Sequence, residues 1–353
     1  MEILVLGIAF VIILAGAELF TNSIEWFGRK LGLAEGAVGS VLAAVGTALP
    51  ETMIPIIAIV FATGEAAEEI GVGAILGAPF MLATLAMFVT GVAVLVVARR
   101  RTTGDTMQVD VRVLTHDMRY FVIAYGIAIG AAFLPLEPVW LKWIVALVLL
   151  GIYGWYVKGH LAADPDVDAS DLNPLRFHRL DARARRRDQD VPRLRVVNLQ
   201  VVVALTLIVV GAVAFVNAVE SIANSLGVNQ VLLALVIAPI ATELPEKFNS
   251  VIWIRAGKDA LAMGNITGAM VFQATIPTVV ALVLAPAAWH ATEGSYTAFA
   301  SAGIAFASSA IIFIPLTRSG RLRGRNLLVG GFFYLAYLAF VVAVITGVGG
   351  IGG

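Results

Sequence analysis

The sequence predicts an all-α integral membrane protein: ten transmembrane helices arranged as two inverted five-helix repeats. Three observations predict it. Apolar runs of helix-spanning length recur from end to end of the chain. All but two of the 24 Lys and Arg residues fall on one side once ten spans are drawn. A six-residue phrase occurs twice, 195 positions apart: Gly46-Thr47-Ala48-Leu49-Pro50-Glu51 and Ala241-Thr242-Glu243-Leu244-Pro245-Glu246.

Composition sets the class. The 353 residues are 59% hydrophobic and 14% charged, with a mean hydropathy of +0.91. A soluble domain carries about a quarter charged residues. The formal net charge is zero, which leaves no electrostatic footprint for nucleic acid. The chain has no cysteine, which excludes thiol catalysis, disulfides and Cys-zinc sites. Ala15-Gly16-Ala17 has the form of a cleavage site, but Met1-Glu2 brings no basic n-region, so Ile3–Phe20 is read as a retained helix.

Taken in order, the spans run over roughly 2–22, 36–62, 70–98, 120–136, 139–157, 198–217, 228–254, 262–286, 296–316 and 326–347. The connections then alternate between two sides. One side receives Arg29 and Lys30, the 99–119 arginines, the basic residues between Lys158 and Arg195, Arg255 and Lys258, and the 318–325 arginines. Lys142, near the other side, and Lys247, inside a span, are the exceptions. The basic side is the cytoplasm by the positive-inside rule, which puts both termini outside it. Nine or eleven helices would scramble the segregation. The expected location is the inner (cell) membrane, as a multi-pass protein.

The longest connection divides the chain into a first half, 1–157, a cytoplasmic loop, 158–197, and a second half, 198–353. Five helices per half turn the second half over relative to the first, the arrangement of inverted-repeat transporters. The offset of 195 also aligns Glu25 with Glu220 and Leu31-Gly32 with Leu226-Gly227. A second matched pair follows at an offset of 191: Gly73-Ala-Ile-Leu-Gly77-Ala78-Pro79 and Gly264-Asn-Ile-Thr-Gly268-Ala269-Met270. Glycines four apart let helices approach closely. In the central loop, Asp164, Asp166, Asp168 and Asp171 imitate the start of a calcium loop. Position 6 is Ala169 rather than glycine and position 12 is Leu175 rather than glutamate, so the segment reads as a solvated loop. The run Arg183–Arg187 reads as a topology anchor at the lipid surface.

The repeated phrase carries the chemistry. A carboxylate at the centre of a membrane helix costs roughly 2.5–3.5 kcal/mol, and a proline in mid-helix about 3 kcal/mol. Pro50 has no N–H for the Gly46 carbonyl and Pro245 none for that of Ala241. Such freed backbone is tolerated at membrane depth only where protein or a watery cavity satisfies it. Thr47 and Glu51 are four apart, as are Thr242 and Glu246, and share a helix face. Carboxylate, free carbonyls and hydroxyl make a hard-oxygen shell of the kind that takes Ca2+ or Na+.

These motifs resemble the calcium/cation antiporter superfamily and, within it, the sodium/calcium exchanger family. Its repeats carry G-T-S-L-P-E followed by G-N-x-x-G-S-N-I-x-N/D. The second element is met here by Gly264–Gln273; its first-repeat counterpart, Gly73–Leu82, is degenerate. The approach Ala17-Glu18-Leu19-Phe20, then Leu31-Gly32-Leu33, is also similar. The resemblance implies that Glu51 and Glu246 are the central ion-coordinating carboxylates. Thr47 and Thr242 would add backbone or hydroxyl oxygens, beside the freed carbonyls of Gly46 and Ala241. Gln273 stands where the family has Asn or Asp. The implied activity is exchange of Ca2+ for Na+ or H+ by alternating access, with helices 1 and 6 rocking. The cargo would be inorganic cations and the surroundings the lipid bilayer. No cofactor and no obligatory protein partner are implied.

The departures bear on coupling. The serine of G-T-S is Ala48 in one repeat and Glu243 in the other; the serines of G-S-N are Ala78 and Ala269; the last polar position of the first repeat is Leu82. In the family these groups line sodium sites. Glu243 adds a carboxylate four residues before Lys247, a spacing that permits an ion pair. Two readings stay open there: the pair orders the broken helix, or a tethered cation or a proton replaces a bound sodium. A proton-coupled or other divalent-cation exchanger, a passive conduit, and an ion binder that does not transport remain the alternatives. An intramembrane enzyme lacks its residues: no His-Glu-x-x-His, Gly-x-Gly-Asp or Gly-x-Ser-x-Gly occurs. His116, His160, His178 and His290 fall in loops or at helix ends and read as solvated. Glu18, Glu25 and Glu220 read as interfacial.

Overall fold

The computed structural model describes residues 2–33, 38–48, 52, 75, 77–161, 172–180, 192–225, 244–291 and 296–346. Among the described residues the fold is all-α apart from one two-residue antiparallel ladder, Thr106–Met107 with Leu322–Arg323. In chain order the main helices are α1 (Glu2–Lys30), α2 (Ala44–Thr47), α3 (Met87–Val97), α4 (Val111–Ala131), α5 (Trp140–Leu161), α6 (Leu194–Ser225), α7 (Leu244–Arg255), α8 (Asp259–Leu284), α9 (Tyr296–Ser319) and α10 (Val329–Thr346), the last preceded by a single helical turn, Gly324–Leu327. Among the described residues, seven helices are long and apolar enough to cross a membrane. Large apolar side chains such as Val96, Leu147 and Phe332 stand outward on their surfaces. This is a membrane protein, because such faces are stable only against lipid.

The seven include α1, α5 and α8, and also Gly77–Arg100, which continues through α3. The span expected at 120–136 differs. Its helix starts at Val111, where the Asp110 side chain accepts from the backbone N–H of Arg112 and Val113. His116, Asp117 and Arg119 therefore lie on a helix rather than in a loop. Only Val38–Ala48 of the expected second span is described before Thr52, and only α7 of the seventh. The 158–197 segment is partly helical, since α5 runs on to Leu161 and α6 begins at Leu194.

The central helix is α8, in which every residue from Leu261 to Thr275 is buried. Glycines let its neighbours come close. A Cβ on Gly268 would sit 2.0 Å from the Ser40 carbonyl oxygen, and one on Gly39 would sit 2.9 Å from that of Leu261. These contacts belong to a π-helical stretch, Val38–Ala43, that leads into α2. A second π-helical stretch, Leu82–Ala86, leads into α3. Gly330 rests on its Thr84 carbonyl, where a Cβ would come within 2.3 Å. The wider turn exposes carbonyls that an α-helix would bury in its own ladder.

Helices α1 and α6 pack on each other in a reciprocal way. A Cβ on Gly16 would meet Ile208, and a Cβ on Gly211 would meet Ile13. Gly16 and Gly211 are 195 positions apart, and so are Ile13 and Ile208. At the basic end of this pair, residues 172–180 of the connecting loop are docked. Trp26 Nε1 donates to the Asn173 carbonyl at 2.8 Å, Arg176 N donates to Asn22 Oδ1 at 3.0 Å, and Phe177 N donates to Gln200 Oε1 at 2.9 Å. Leu175 is buried with Trp26 and Val197 in a small separate cluster. This part of the loop is packed. The aspartate cluster and Arg183–Arg187 lie outside the described residues.

Two expectations about charged groups are corrected. Glu25 is buried rather than interfacial: Trp253 Nε1 donates to it at 3.2 Å and the Lys258 ammonium pairs with it. It ties the end of α1 to the turn between α7 and α8. His160 is 4% exposed and hydrogen-bonded to Asp117, and His116 is half-buried beside it; only His178 is solvated as expected. The sequence reading failed because each helix was longer than its apolar stretch, so groups at its polar end met neighbours instead of water. Removing one partner of a buried pair strands the other charge, at a cost of about 3 kcal/mol. Lys258→Met is therefore expected to lower the thermal stability of the detergent-solubilised protein. The double replacement Lys258→Met with Glu25→Leu should recover most of the loss. Equal melting of single and double variants would show that the pair has no structural weight.

Candidate cation site

The site is built where α2 meets α8. Helix α2 carries Gly46 and Thr47, and both are buried. Gly46 faces Phe20 of α1 so closely that a Cβ would stand 2.5 Å from the ring. A side chain here would push α1 away from the phrase that follows. Ala48 N donates to the Ala44 carbonyl at 3.0 Å, and Thr52 N to that of Ala48 at 3.2 Å. Thr52 is again helical, while Leu49, Pro50 and Glu51 lie outside the described residues.

Thr47 Oγ1 lies 3.0 Å from its own Ala43 carbonyl and 3.0 Å from Asn265 Oδ1 on α8. Both side chains are wholly buried. A hydroxyl has one proton and cannot donate to both oxygens. Turning the Asn265 amide lets Nδ2 donate to Thr47 and leaves Oδ1 as the atom without a partner. As placed, it is Nδ2 that has none among the described residues. In either orientation, among the described residues, one polar atom of a fully buried amide is left over. Buried polar atoms are seldom left so without a ligand or water to take them. The Thr52 hydroxyl, one turn past Ala48, is likewise buried and without a partner among the described residues.

A second polar contact lies across α1 and α7, where Thr21 Oγ1 donates to Asn249 Oδ1 at 2.9 Å. Asn249 is fully buried, and its Nδ2 has no partner among the described residues. It follows Glu246 by three positions on α7. Gln273 is buried on α8, two helical turns beyond Asn265, or about 12 Å along the axis. Glu246 lies on α7, but its side chain is outside the described residues, as are Glu51, Ala241, Thr242 and Glu243. The Glu243–Lys247 pairing falls there too; Lys247 itself is buried.

Of the expected residues, then, the structure joins Thr47 to α8 and packs Gly46 against Phe20 of α1. It adds Asn265, Thr21 and Asn249. Asn265 was present in the motif as the residue after Gly264, yet nothing in the residue type distinguished it from helix-packing neighbours. Thr21 and Asn249 belong to no motif, and only the crossing of α1 and α7 brings them together.

Comparison with known proteins bears on the family and the fold. The family model described as sodium/calcium exchanger protein matches residues 1–159 and 197–346. The inner membrane protein YrbG of Escherichia coli is 25% identical over 279 residues, covering 78% of this chain and 76% of that protein. The putative antiporter CaxA of Alkalimonas amylolytica is 29% identical over 135 residues, 38% of this chain and 41% of that one. The match thus spans less than half the length of CaxA. In fold, the chain is similar to solved structures of the sodium-calcium exchanger NCX_Mj. One, soaked with Na+ and Sr2+, gives a TM-score of 0.69 at 17% identity over 96% of this chain and 99% of that one. Another, soaked with Na+ and Ca2+, gives 0.67 at 16% identity. Both halves of the chain match one family model, and the doubled acidic phrase lies within them: the protein belongs to the sodium/calcium exchanger family.

Proposed function

We propose that this protein exchanges Ca2+ against Na+ or H+ by alternating access, at one site between its two halves near the bilayer midplane. The observation that carries the reading is the Thr47–Asn265 contact. It joins the two motif elements in a fully buried place and, among the described residues, leaves an amide atom over. Thr47 is one helical turn from Glu51, and Asn249 three positions from Glu246, so polar groups flank both carboxylates of the phrase. Glu51 and Glu246 would hold the ion. Thr47, Thr242 and Gln273 and the carbonyls of Gly46 and Ala241 would complete its oxygen shell.

Ten helices in two inverted halves suit this mechanism. The reciprocal packing of Gly16 on Ile208 and Gly211 on Ile13, at the repeat offset of 195, supports that symmetry. It also supports α1 and α6 moving as one unit. The basic end, with loop 158–197, is the cytoplasmic side, and both termini lie on the other. Coupling is required on energetic grounds. Exporting two charges against 100 mV takes about 4.6 kcal/mol, and a ten-thousandfold gradient about 5.5 kcal/mol more. Alanines at 48, 78 and 269 remove hydroxyls from the neighbourhood. This favours H+ over several Na+ as the counter-ion.

The test is calcium flux into proteoliposomes of purified protein with imposed gradients. Uptake of radioactive calcium is expected only when an opposing H+ or Na+ gradient is present, and more strongly with H+. Equal uptake with and without either gradient would instead identify a passive conduit.

A further inference from the structure

A separate polar cluster lies at the basic end and has no part in the exchange reading. Asp117, near the start of α4, is wholly buried. Its Oδ2 accepts from Ser40 Oγ at 2.7 Å and from Thr267 Oγ1 at 2.5 Å. Its Oδ1 accepts from the Tyr156 hydroxyl at 3.1 Å and lies 2.8 Å from His160 Nε2 on α5. A carboxylate only accepts, so this Nε2 carries the proton. His116 precedes Asp117 in the chain. Its ring meets that of His160 edge to face, with centroids 5.0 Å apart, and stacks on Tyr156. One ligand atom from each of His116, Asp117 and His160 lies within 4.8 Å of the others.

Two imidazoles and one carboxylate are a donor set for a borderline-soft divalent ion of the first transition row, and a poor one for Ca2+. Around tetrahedral Zn2+, ligand atoms at about 2.0–2.1 Å from the metal stand about 3.3 Å from one another. The His160–Asp117 edge is already close to that, and a bound metal would displace the Nε2 proton to solvent. His116, half-buried, has to approach by a small movement of its ring. The rest of the cluster is placed as a supporting shell. Ser40 and Thr267 fix Oδ2, which leaves Oδ1 turned toward the histidines. Tyr156 keeps an acceptor if a metal takes Oδ1, because its hydroxyl is also 3.1 Å from the Ser40 carbonyl. Asp117 is six residues into α4, about 9 Å from the helix start, and His116 beside it is partly exposed.

We propose that His116, Asp117 and His160 form a transition-metal site of the Zn2+ class, distinct from the transport site. A bound ion would join α4 to α5 and, through Asp117, brace both against α2 and α8. Occupancy would therefore stiffen the contact between α2 and α8, on which Thr47 and Asn265 depend.

The experiment is titration of the purified, metal-stripped protein with Co2+ alone, followed by visible absorption. One equivalent is expected to give the intense d–d bands of a four-coordinate site, and Zn2+ should bleach them. His116→Ala and His160→Gln should each weaken Co2+ binding at least about tenfold. His160→Gln keeps a donor to Asp117, so it removes the ligand while leaving the hydrogen bond. Glu51→Gln should leave the bands unchanged, which separates this site from the transport site. Absence of four-coordinate bands, bands that survive both histidine variants, or bands lost in Glu51→Gln would each overturn the proposal.

Discussion

Glu51→Gln is expected to abolish tight Ca2+ binding while the bundle stays folded. Glutamine keeps the size and one oxygen of glutamate but loses its charge. A divalent ion between two carboxylates then faces one. The affinity should fall at least about a hundredfold, equivalent to about 2.7 kcal/mol. Desolvation of the ion at membrane depth makes each charge count for more than it would in water. Glu246→Gln should do the same, because the two phrases are equivalent by the 195-residue offset. Isothermal calorimetry with Ca2+ on wild type and both variants, at several pH values and Na+ concentrations, makes the measurement. Unchanged binding in Glu51→Gln would remove the carboxylate pair from the site.

The other large effect is expected at Gly268. A methyl group there would lie 2.0 Å from the Ser40 carbonyl oxygen and 2.5 Å from its carbon and Cα. Those atoms are backbone and cannot turn aside, so the two helices must separate. Overpacking of this kind costs about 3 kcal/mol or more. It also acts on function, since Thr47 and Asn265 touch across the same interface. Gly268→Ala should give a protein with a markedly lower melting temperature and little Ca2+ flux. Gly126→Ala on α4 is the control, because a Cβ there meets nothing within 4 Å. It should be neutral, or more stable by up to about 1 kcal/mol through helix propensity. Equal melting of the two variants would refute the close approach of α2 and α8.

The two predictions differ in how they were reached. Glu51 stands out in the sequence, since a charge and a proline in an apolar run are both expensive wherever the helix packs. Gly268 also stands out as half of a Gly-x-x-x-Gly pair, but its meaning did not. Small residues four apart serve helix packing in general, and the sequence does not name the partner. The structure supplies it as the Ser40 carbonyl, presented by a π-helical turn that no propensity foretells. Asn265 is the same case: a motif residue whose role became visible only when Thr47 was found 3.0 Å away.

The sequence by itself determined the membrane class and the doubled acidic phrase with its offset, and through them the family. These follow from properties that each residue carries alone: the cost of a charge in lipid, the missing N–H of proline, the sum of hydropathy over a span. Only the tertiary structure decided that Glu25 is paired with Lys258 and that His160 lies buried against Asp117. A polar side chain at a helix end takes water or a neighbour according to what packs beside it. That neighbour comes from elsewhere in the chain, so no local pattern could fix it.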